Sequence, residues 1–98
     1  MIEFVIQGER DEDFGLHTST WREALRPINL SCEYPTGFGI EHLCILVEGN
    51  RISFSPEPPG WQVTFEGDVP EEWAYRVARA ICANMARVSG QPGKVIPI

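Results

Sequence analysis

The longest regular pattern of hydrophobic positions lies in residues 70–88. Apolar side chains recur there every three or four residues, which predicts an α-helix with one buried side. Asp68 and Glu71 match a capping box. Pro70 fits the first turn, and Gly90 is a typical C-terminal stop. The buried side of this helix is predicted to comprise Ala74, Val77, Ile81, Met85 and Val88, flanked by Trp73 and Ala78.

Most other segments alternate hydrophobic and polar residues, which is typical of β-strands with one buried face. Residues 40–47 are nearly continuous in apolar character from Leu43, so this segment is a candidate central strand covered on both faces. Pro97 places the last strand at an edge of the sheet. The predicted strands cover residues 2–7, 28–34, 40–47, 51–55, 61–66 and 94–98.

The connections between these strands favour one α+β domain over residues 1–98. Residues 48–50 have hairpin-turn chemistry, whereas residues 56–60 contain three prolines and predict a stiff connector without a ladder. A helix in residues 20–26 has room for little more than one turn before Pro27. We therefore predict an antiparallel-dominated sheet of about five or six strands, with the long C-terminal helix packed on one face. One alternative makes the last strand parallel to the strand at 61–66, through a right-handed crossover.

The charge is unevenly distributed along the chain. The formal net charge is −6, and it divides into −10 through Tyr75 and +4 after it. An acidic majority repels phosphate backbones, so the composition argues against nucleic-acid binding. Cations in the last part of the helix complement the helix dipole. The acidic excess instead favours a cationic protein partner.

Two further features indicate the cellular setting. The longest apolar run, residues 43–47, is far shorter than the roughly 20 residues of a membrane span, and Glu3 lies where a signal peptide carries positive charge. We therefore expect a cytoplasmic protein without a membrane partner. Three cysteines cannot all pair within one chain, and none belongs to a C-x-x-C motif, so we expect reduced and mostly buried thiols.

Residues 8–13, which we name the acidic loop, carry four acids within six residues. Such a segment is too polar to be buried, and it is predicted to be a surface loop. Trp21 is the best candidate for an exposed aromatic anchor, since aromatic residues are enriched at interface centres. The predicted partner-binding residues are Glu9, Asp11, Glu12, Asp13, Trp21, Glu33 and Glu41. By contrast, Trp61 and Trp73 are predicted to lie in the core.

The sequence gives weaker evidence for metal binding or for catalysis. His42 and Cys44 project to one face of a regular strand, with His17 and Cys32 elsewhere, but no second closely spaced pair completes a zinc site. A Cys–His nucleophile needs the two side chains within hydrogen-bond reach, which the spacing does not establish. No carboxylate is set apart by an apolar environment. We therefore expect no metal, no cofactor and no catalytic residue.

The C-terminal third resembles small acidic immunity proteins of bacterial toxin systems. The residues that carry this resemblance are a strand at 61–65 followed by Glu66 and Gly67, a helix that begins at Glu71 and Glu72, and residues 89–91 before a short strand. The resemblance implies an inhibitor that binds one cognate toxin, often through carboxylates that face a basic active site.

Three functional hypotheses follow. The first is a non-catalytic protein-binding domain, most specifically an immunity-type inhibitor of a cationic toxin. The second is a small-molecule-binding or enzymatic domain, with a pocket between the sheet and the loops that carry His17, Phe38 and His42. The third is a structural homodimer in which unpaired strand edges meet, so the protein is either a monomer or a homodimer.

Overall fold

The computed structural model describes residues 1–35 and 43–98 and shows an α+β fold, as predicted. Five antiparallel strands form one sheet, and a long helix packs on one of its faces. A 3₁₀ turn, Thr18–Thr20, leads into a one-turn helix, α1, Trp21–Ala24. The long helix, α2, is Glu71–Ser89. The strands are β1, Ile2–Gly8; β2, Cys44–Val47; β3, Asn50–Glu57; β4, Gly60–Phe65; and β5, Gly93–Pro97.

The strand order is β2-β3-β4-β1-β5, and every neighbouring pair is antiparallel. The predicted β2–β3 hairpin is confirmed, with Glu48 and Gly49 at positive φ in its turn. The chain crosses from β4 through α2 to β5, which pairs with β1 and not with β4. The alternative of a parallel last strand is therefore wrong. The expected edge position of β5 is confirmed.

The segment predicted to be the central strand lies at an edge of the sheet. Its described part, β2, pairs only with β3 within the named strands, and residues 40–42 lie outside the described residues. The continuous apolar character has another cause. Ile45 and Val47 face the core, while Cys44 is also buried and Leu46 is half-buried on the other face. Residues from the preceding segment cover the outer edge of β2 at one bridge.

The predicted strand at 28–34 does not form. Asn29 has a φ of 59°, which interrupts an extended chain. Ile28 donates its backbone N–H to a carbonyl of α2 and not to a strand. Only Glu33 pairs with the sheet, through two backbone hydrogen bonds with Leu46 of 2.8 and 2.7 Å. The alternating pattern therefore marks a segment that packs against the domain at intervals without a continuous ladder.

Residues 56–60 form a tight hairpin and not the predicted connector without a ladder. The β3–β4 register continues through Pro56 opposite Trp61 to Glu57 opposite Gly60. Residue 66 donates its backbone N–H to the carbonyl of Arg51, so these two residues form a hydrogen-bonded pair. Bonded and non-bonded pairs alternate along an antiparallel ladder, so Pro56 belongs to a non-bonded pair and its nitrogen points away from β4. On that side the described part of β2 ends opposite Ser53, so among the described residues the missing proline N–H breaks no ladder bond.

The predicted orientation of α2 is confirmed. Ala74, Val77, Ile81 and Met85 are buried against the sheet, and Val88 is half-buried. Gly90 ends the helix with a φ of 74° in the left-handed region, as expected. The capping box does not form, because Pro70 occupies the N-cap and no side chain caps the first turn. Two acidic residues in that turn complement the helix dipole.

Aromatic residues fill the space between sheet and helix. Trp61 is buried, as predicted, and Phe65 contacts Phe4 and Trp73 edge-on at 5.8 and 5.9 Å. Trp73 is half-buried and packs against the core, while its indole N–H donates to a carboxylate of Glu48 at 2.7 Å.

Within residues 1–35 and 43–98, none of the helices combines the length and the hydrophobicity that a membrane span requires.

Candidate partner-binding site

The acidic loop follows directly from β1, and its carboxylates face solvent. Glu9, Asp11, Glu12 and Asp13 are all exposed, as the sequence predicts. The loop nevertheless has a defined backbone. The N–H of Gly8 donates to the carbonyl of Glu12 at 3.2 Å, and the N–H of Glu9 donates to the carbonyl of residue 92 at 3.0 Å. The loop therefore presents four carboxylates from a hydrogen-bonded backbone.

Gln91 holds this loop from beneath. Its side chain is only 5% exposed, which is rare for a glutamine. Its Oε1 accepts hydrogen bonds from the backbone N–H groups of Arg10 and Asp11, both at 3.0 Å. Its Nε2 donates to Oδ2 of Asp11 at 3.2 Å. One buried amide thus satisfies two backbone donors and one carboxylate of the acidic loop, and its removal would leave those groups unpaired.

A second anchor lies at the far end of the loop. Phe14 is buried although its φ is 61°, a conformation that is uncommon for a bulky residue. Its ring packs over Gly93, where any Cβ would collide with it. The indole N–H of Trp61 donates to the carbonyl of Asp13 at 3.0 Å. The surrounding structure therefore stabilises a strained residue, a condition often found at functional sites.

The acidic loop and the β3–β4 hairpin form two walls of a groove, which we name the acidic groove. Its volume is about 350 Å³. Gly60 allows the close approach of the walls, because a Cβ there would lie 2.5 Å from the carbonyl oxygen of Ile6 and 3.1 Å from that of Glu12. The groove is lined by Arg10, Asp11, Glu12, Asp13, Pro56, Glu57, Pro58 and Gly60.

The acidic groove is strongly negative. Four carboxylates and one guanidinium line it. That guanidinium, of Arg10, donates to the carbonyl of Gly90 at 3.0 Å, where the C-terminal end of α2 attracts positive charge. The negative end of the α2 dipole therefore partly offsets the positive charge of Arg10. Carboxylates held close together attract a cationic group more strongly than the same charges dispersed over a surface.

The remaining predicted acids lie elsewhere. Glu33 is exposed, and its backbone pairs with the outer side of β2. Strands β3 and β4 lie between β2 and β1, so the structure does not bring Glu33 to the acidic loop. Glu41 lies outside the described residues. The acidic groove therefore takes Asp11, Glu12 and Asp13 from the loop and gains Glu57 from the hairpin, while Glu9 is exposed beside it.

Trp21 is not the freely exposed anchor that the sequence predicts. Its ring is half-buried and meets Trp61 edge-on at a centroid distance of 5.3 Å. Its indole N–H donates to the carbonyl of Leu16 at 3.3 Å. The side chain thus attaches α1 to the core. The weak helix signal around Trp21 hid this packing, because a one-turn helix is stabilised by its contacts and not by its own propensity.

The geometry gives less support to the hypothesis of a small-molecule pocket. His17 is exposed, while Phe38 and His42 lie outside the described residues. Another cavity, of about 430 Å³, is lined by Arg26, Arg87 and Asn84 among others. Asn84 is buried and already bonded, since its Nδ2 donates to two carbonyls of α1 and its Oδ1 accepts two hydrogen bonds from Arg87. This polar cluster joins α1 to α2.

The cysteines are free thiols. Cys44 and Cys82 are buried, as predicted, and Cys32 is half-buried. Burial raises the pKa of the Cys82 thiol. Burial also raises the pKa of Cys32, and the nearby charge of Arg26 lowers it by less. Raised pKa values disfavour the reactive thiolate. Among residues 1–35 and 43–98, no three His, Cys, Asp or Glu side chains form a group that could hold a metal ion.

Sequence reasoning missed two residues of the site. Gln91 lies in a Gln-Pro-Gly segment, which predicts a turn but does not reveal that the amide is buried. Glu57 lies in the proline-rich segment that we expected to be a connector. Its position beside the acidic loop depends on the pairing of β4 with both β3 and β1. A prediction of that strand order from the sequence would have placed Glu57 near the loop.

Comparisons of the chain with protein-family models, with curated proteins and with solved structures found no match. The resemblance to immunity proteins therefore stays a prediction. The functional inference rests on the geometry and charge of the acidic groove.

Proposed function

We propose that this protein is a non-catalytic protein-binding domain that receives a basic surface of a partner protein in the acidic groove. In its most specific form, the domain is an immunity-type inhibitor of a cationic toxin. One observation carries the proposal. Four carboxylates from two separate chain segments line one groove, and hydrogen bonds of the buried Gln91 hold the loop that supplies three of them.

The rigid loop matters because binding is weakened by any ordering that occurs on association. A loop that already has its bound conformation loses less entropy when a partner binds. Gln91 supplies that order through its three hydrogen bonds, and the packing of the Phe14 ring against Gly93 supplies more. The carboxylates meanwhile stay exposed. This combination suits recognition of lysine or arginine side chains.

The charge also sets the expected kinetics. A negative groove on a protein of net charge −6 attracts a cationic partner over a distance, which raises the association rate at low salt. Salt screens that attraction, since the Debye length falls to roughly 3 Å at 1 M ionic strength. We therefore expect fast, salt-sensitive association.

Affinity capture from a lysate of the native host tests the proposal. The groove variant carries Glu12→Gln, Asp13→Asn and Glu57→Gln. The control variant carries Glu3→Gln, Glu33→Gln and Asp68→Asn, which changes the net charge equally at sites outside the groove. We avoid Asp11, because its carboxylate accepts a hydrogen bond from Gln91.

We expect one basic protein, identified by mass spectrometry, to be retained by the wild-type protein and by the control variant. The groove variant should retain it at least about tenfold less, since each 1.4 kcal/mol changes affinity tenfold. Equal retention by the groove and control variants would contradict the proposed site. Absence of any basic protein among the retained proteins would contradict the proposed partner class.

A further inference from the structure

One cavity, of about 430 Å³, is lined by Glu23 of α1, by Asn84 and Arg87 of α2, and by residues 26–31. We name it the arginine cavity, because two arginines line it. Ligand pockets of proteins have volumes of roughly 300–1,000 Å³, so its size suits a small molecule. It shares no lining residue with the acidic groove, and His17 of the predicted pocket does not line it. The arginine cavity is therefore a separate feature of the molecule.

The buried hydrogen-bond acceptors beside this cavity already have donors. Asn84 is only 3% exposed, and its Oδ1 accepts hydrogen bonds from Nε and Nη2 of Arg87 at 3.2 and 2.9 Å. Its Nδ2 donates to the backbone carbonyls of Glu23 and Ala24 at 2.7 and 3.2 Å. These groups therefore offer little to a ligand that donates hydrogen bonds.

The positive charge of Arg87 is only weakly compensated. The amide of Asn84 orients the guanidinium, but a neutral amide does not cancel its charge. The ion pair of Arg87 with Glu23 spans 3.8 Å, which is longer than a hydrogen bond, and both side chains are more than half exposed. Exposed ion pairs of this kind are weak. The carboxylate of Glu23 can therefore give way to a ligand anion.

The segment 26–31 supplies further donors. Within residues 1–35 and 43–98, the guanidinium of Arg26 forms no hydrogen bond or ion pair. In the same part of the chain, the backbone N–H groups of residues 29–31 donate to no carbonyl and to no side chain. Asn29 has a φ of 59°, and successive N–H groups in such a turn often form a concavity that binds anions. Two guanidinium groups and three backbone donors thus belong to one cavity.

We propose that the arginine cavity binds a small organic anion through a carboxylate or phosphate group, with Arg26 and Arg87 as the binding residues. A guanidinium group suits this role, because its planar fork of donors matches two oxygens of such a group. Leu30, which is 42% exposed, adds an apolar surface to the lining. That surface suits the organic part of a ligand, since pockets combine apolar contacts with a few placed polar groups.

An NMR titration of the ¹⁵N-labelled protein tests the proposal with two matched pairs of probes at constant ionic strength. The pairs are acetate with benzoate and inorganic phosphate with phenyl phosphate, so they separate the anionic group from the organic part. We expect the amide signals of residues 29–31 to shift and saturate, with a dissociation constant at or below about 1 mM for at least one aromatic probe. The aromatic member of that pair should bind more tightly than the bare anion, because its ring contacts Leu30. No saturable shift with any probe up to about 20 mM would overturn the proposal.

Two charge-matched pairs of variants test the position of the site. Arg26→Gln should weaken binding by about tenfold, whereas Arg79→Gln, on the exposed side of α2, should change it by less than about twofold. Glu23→Gln removes the competing carboxylate and should strengthen binding by about threefold, whereas Glu72→Gln should leave it unchanged. Arg87 stays in place, because its guanidinium also bonds Asn84. Equal effects within each pair would show that only net charge matters and would overturn the proposed site.

Discussion

The buried side of α2 and the acidic loop are both well-defined regions of this molecule, but different interactions fix them. The helix is fixed by apolar side chains such as Ile81 and Met85, which are fully buried against the sheet. The loop has one buried apolar residue at its end, Phe14, and is otherwise held by backbone and side-chain hydrogen bonds that converge on Gln91.

This difference determines which side chains are free for function. On α2, the residues that face the sheet cannot change without a loss of packing. In the acidic loop, the structural role belongs largely to backbone groups and to Gln91. Asp11 and Asp13 each accept one hydrogen bond through a carboxylate oxygen, and Asp13→Asn keeps the accepting oxygen. The carboxylates of Glu9 and Glu12 form no hydrogen bond with the described residues. Replacement of those carboxylates should therefore affect binding without unfolding the protein, whereas replacement of their anchor should affect both.

The largest expected effect is on the helix side of the comparison. Ile81→Ala removes a fully buried side chain and should lower the free energy of unfolding by about 2–5 kcal/mol. Arg76→Ala, on the exposed side of α2, should change it by less than about 0.5 kcal/mol. Chemical denaturation measures both. Equal midpoints for the two variants would contradict the orientation of the helix.

The next effect concerns the anchor of the acidic loop. Gln91→Ala leaves two backbone donors and one carboxylate without their partner, and it should cost about 1–3 kcal/mol of stability. Gln62→Ala, on the half-buried open face of the sheet, is the matched control and should cost less than about 0.5 kcal/mol. If the two glutamine variants unfold together, the acidic loop does not depend on Gln91.

A third effect separates buried from accessible thiols. A thiol reagent at neutral pH should modify the half-buried Cys32 first, while Cys44 and Cys82 should react mainly after unfolding. Mass spectrometry of partly modified protein identifies the order. Modification of Cys82 as fast as Cys32 under native conditions would show that the α2 side of the core is open.

The raised pKa of Cys82 also predicts a dependence of stability on pH. Burial keeps the folded thiol protonated above its ordinary pKa of 9.0, whereas the unfolded thiol ionises near that value. Its contribution is therefore fully present below pH 9.0 and is lost as the pH rises through the folded pKa. In thermal unfolding from neutral to alkaline pH, the Cys82→Ala protein should lose less stability than the wild-type protein. The same loss in both proteins would contradict this role of burial.

The smallest expected effect on stability is in the acidic groove. The variant with Glu12→Gln, Asp13→Asn and Glu57→Gln should unfold within about 0.5 kcal/mol of the wild-type protein. A slight increase is expected, because neutralised acids reduce self-repulsion in a protein of net charge −6. A loss as large as that of Gln91→Ala would show that these carboxylates help to hold the fold.

The regions that sequence patterns predicted well are those where one local rule dominates. The period of α2 and the stop at Gly90 follow from residues close in the chain, and so does the β2–β3 hairpin. The edge position of β5 follows from Pro97 alone. For these elements, local sequence and tertiary packing favour the same structure.

The incorrect predictions share a different cause. Alternation at 28–34 predicts a strand, but whether a segment joins a sheet depends on a neighbouring strand with which it can pair. In this segment only Glu33 pairs with the sheet, through its bridge to Leu46. The same dependence placed β2 at an edge and extended the ladder through Pro56. Long-range contacts determine these features, and the local patterns of a single sequence do not reveal which segments will pair.

The candidate site was predicted in part for the same reason. A cluster of acids in one loop is visible in the sequence, so the exposed carboxylates of residues 9–13 were found. Gln91 is 80 residues from Asp11 along the chain, and Glu57 reaches the groove through strand pairing. These two residues turn an acidic segment into a shaped groove.

The association rate with the captured basic partner tests the central claim most directly. We would measure it for the wild-type, groove and control proteins at about 0.1 M and about 1 M salt, where the Debye length is roughly 10 and 3 Å. The groove variant should associate about tenfold more slowly at low salt and show a shallower salt dependence, with a smaller change in dissociation. The control variant should associate nearly as fast as the wild-type protein. An unchanged association rate and salt dependence in the groove variant would contradict the proposed function of the acidic groove.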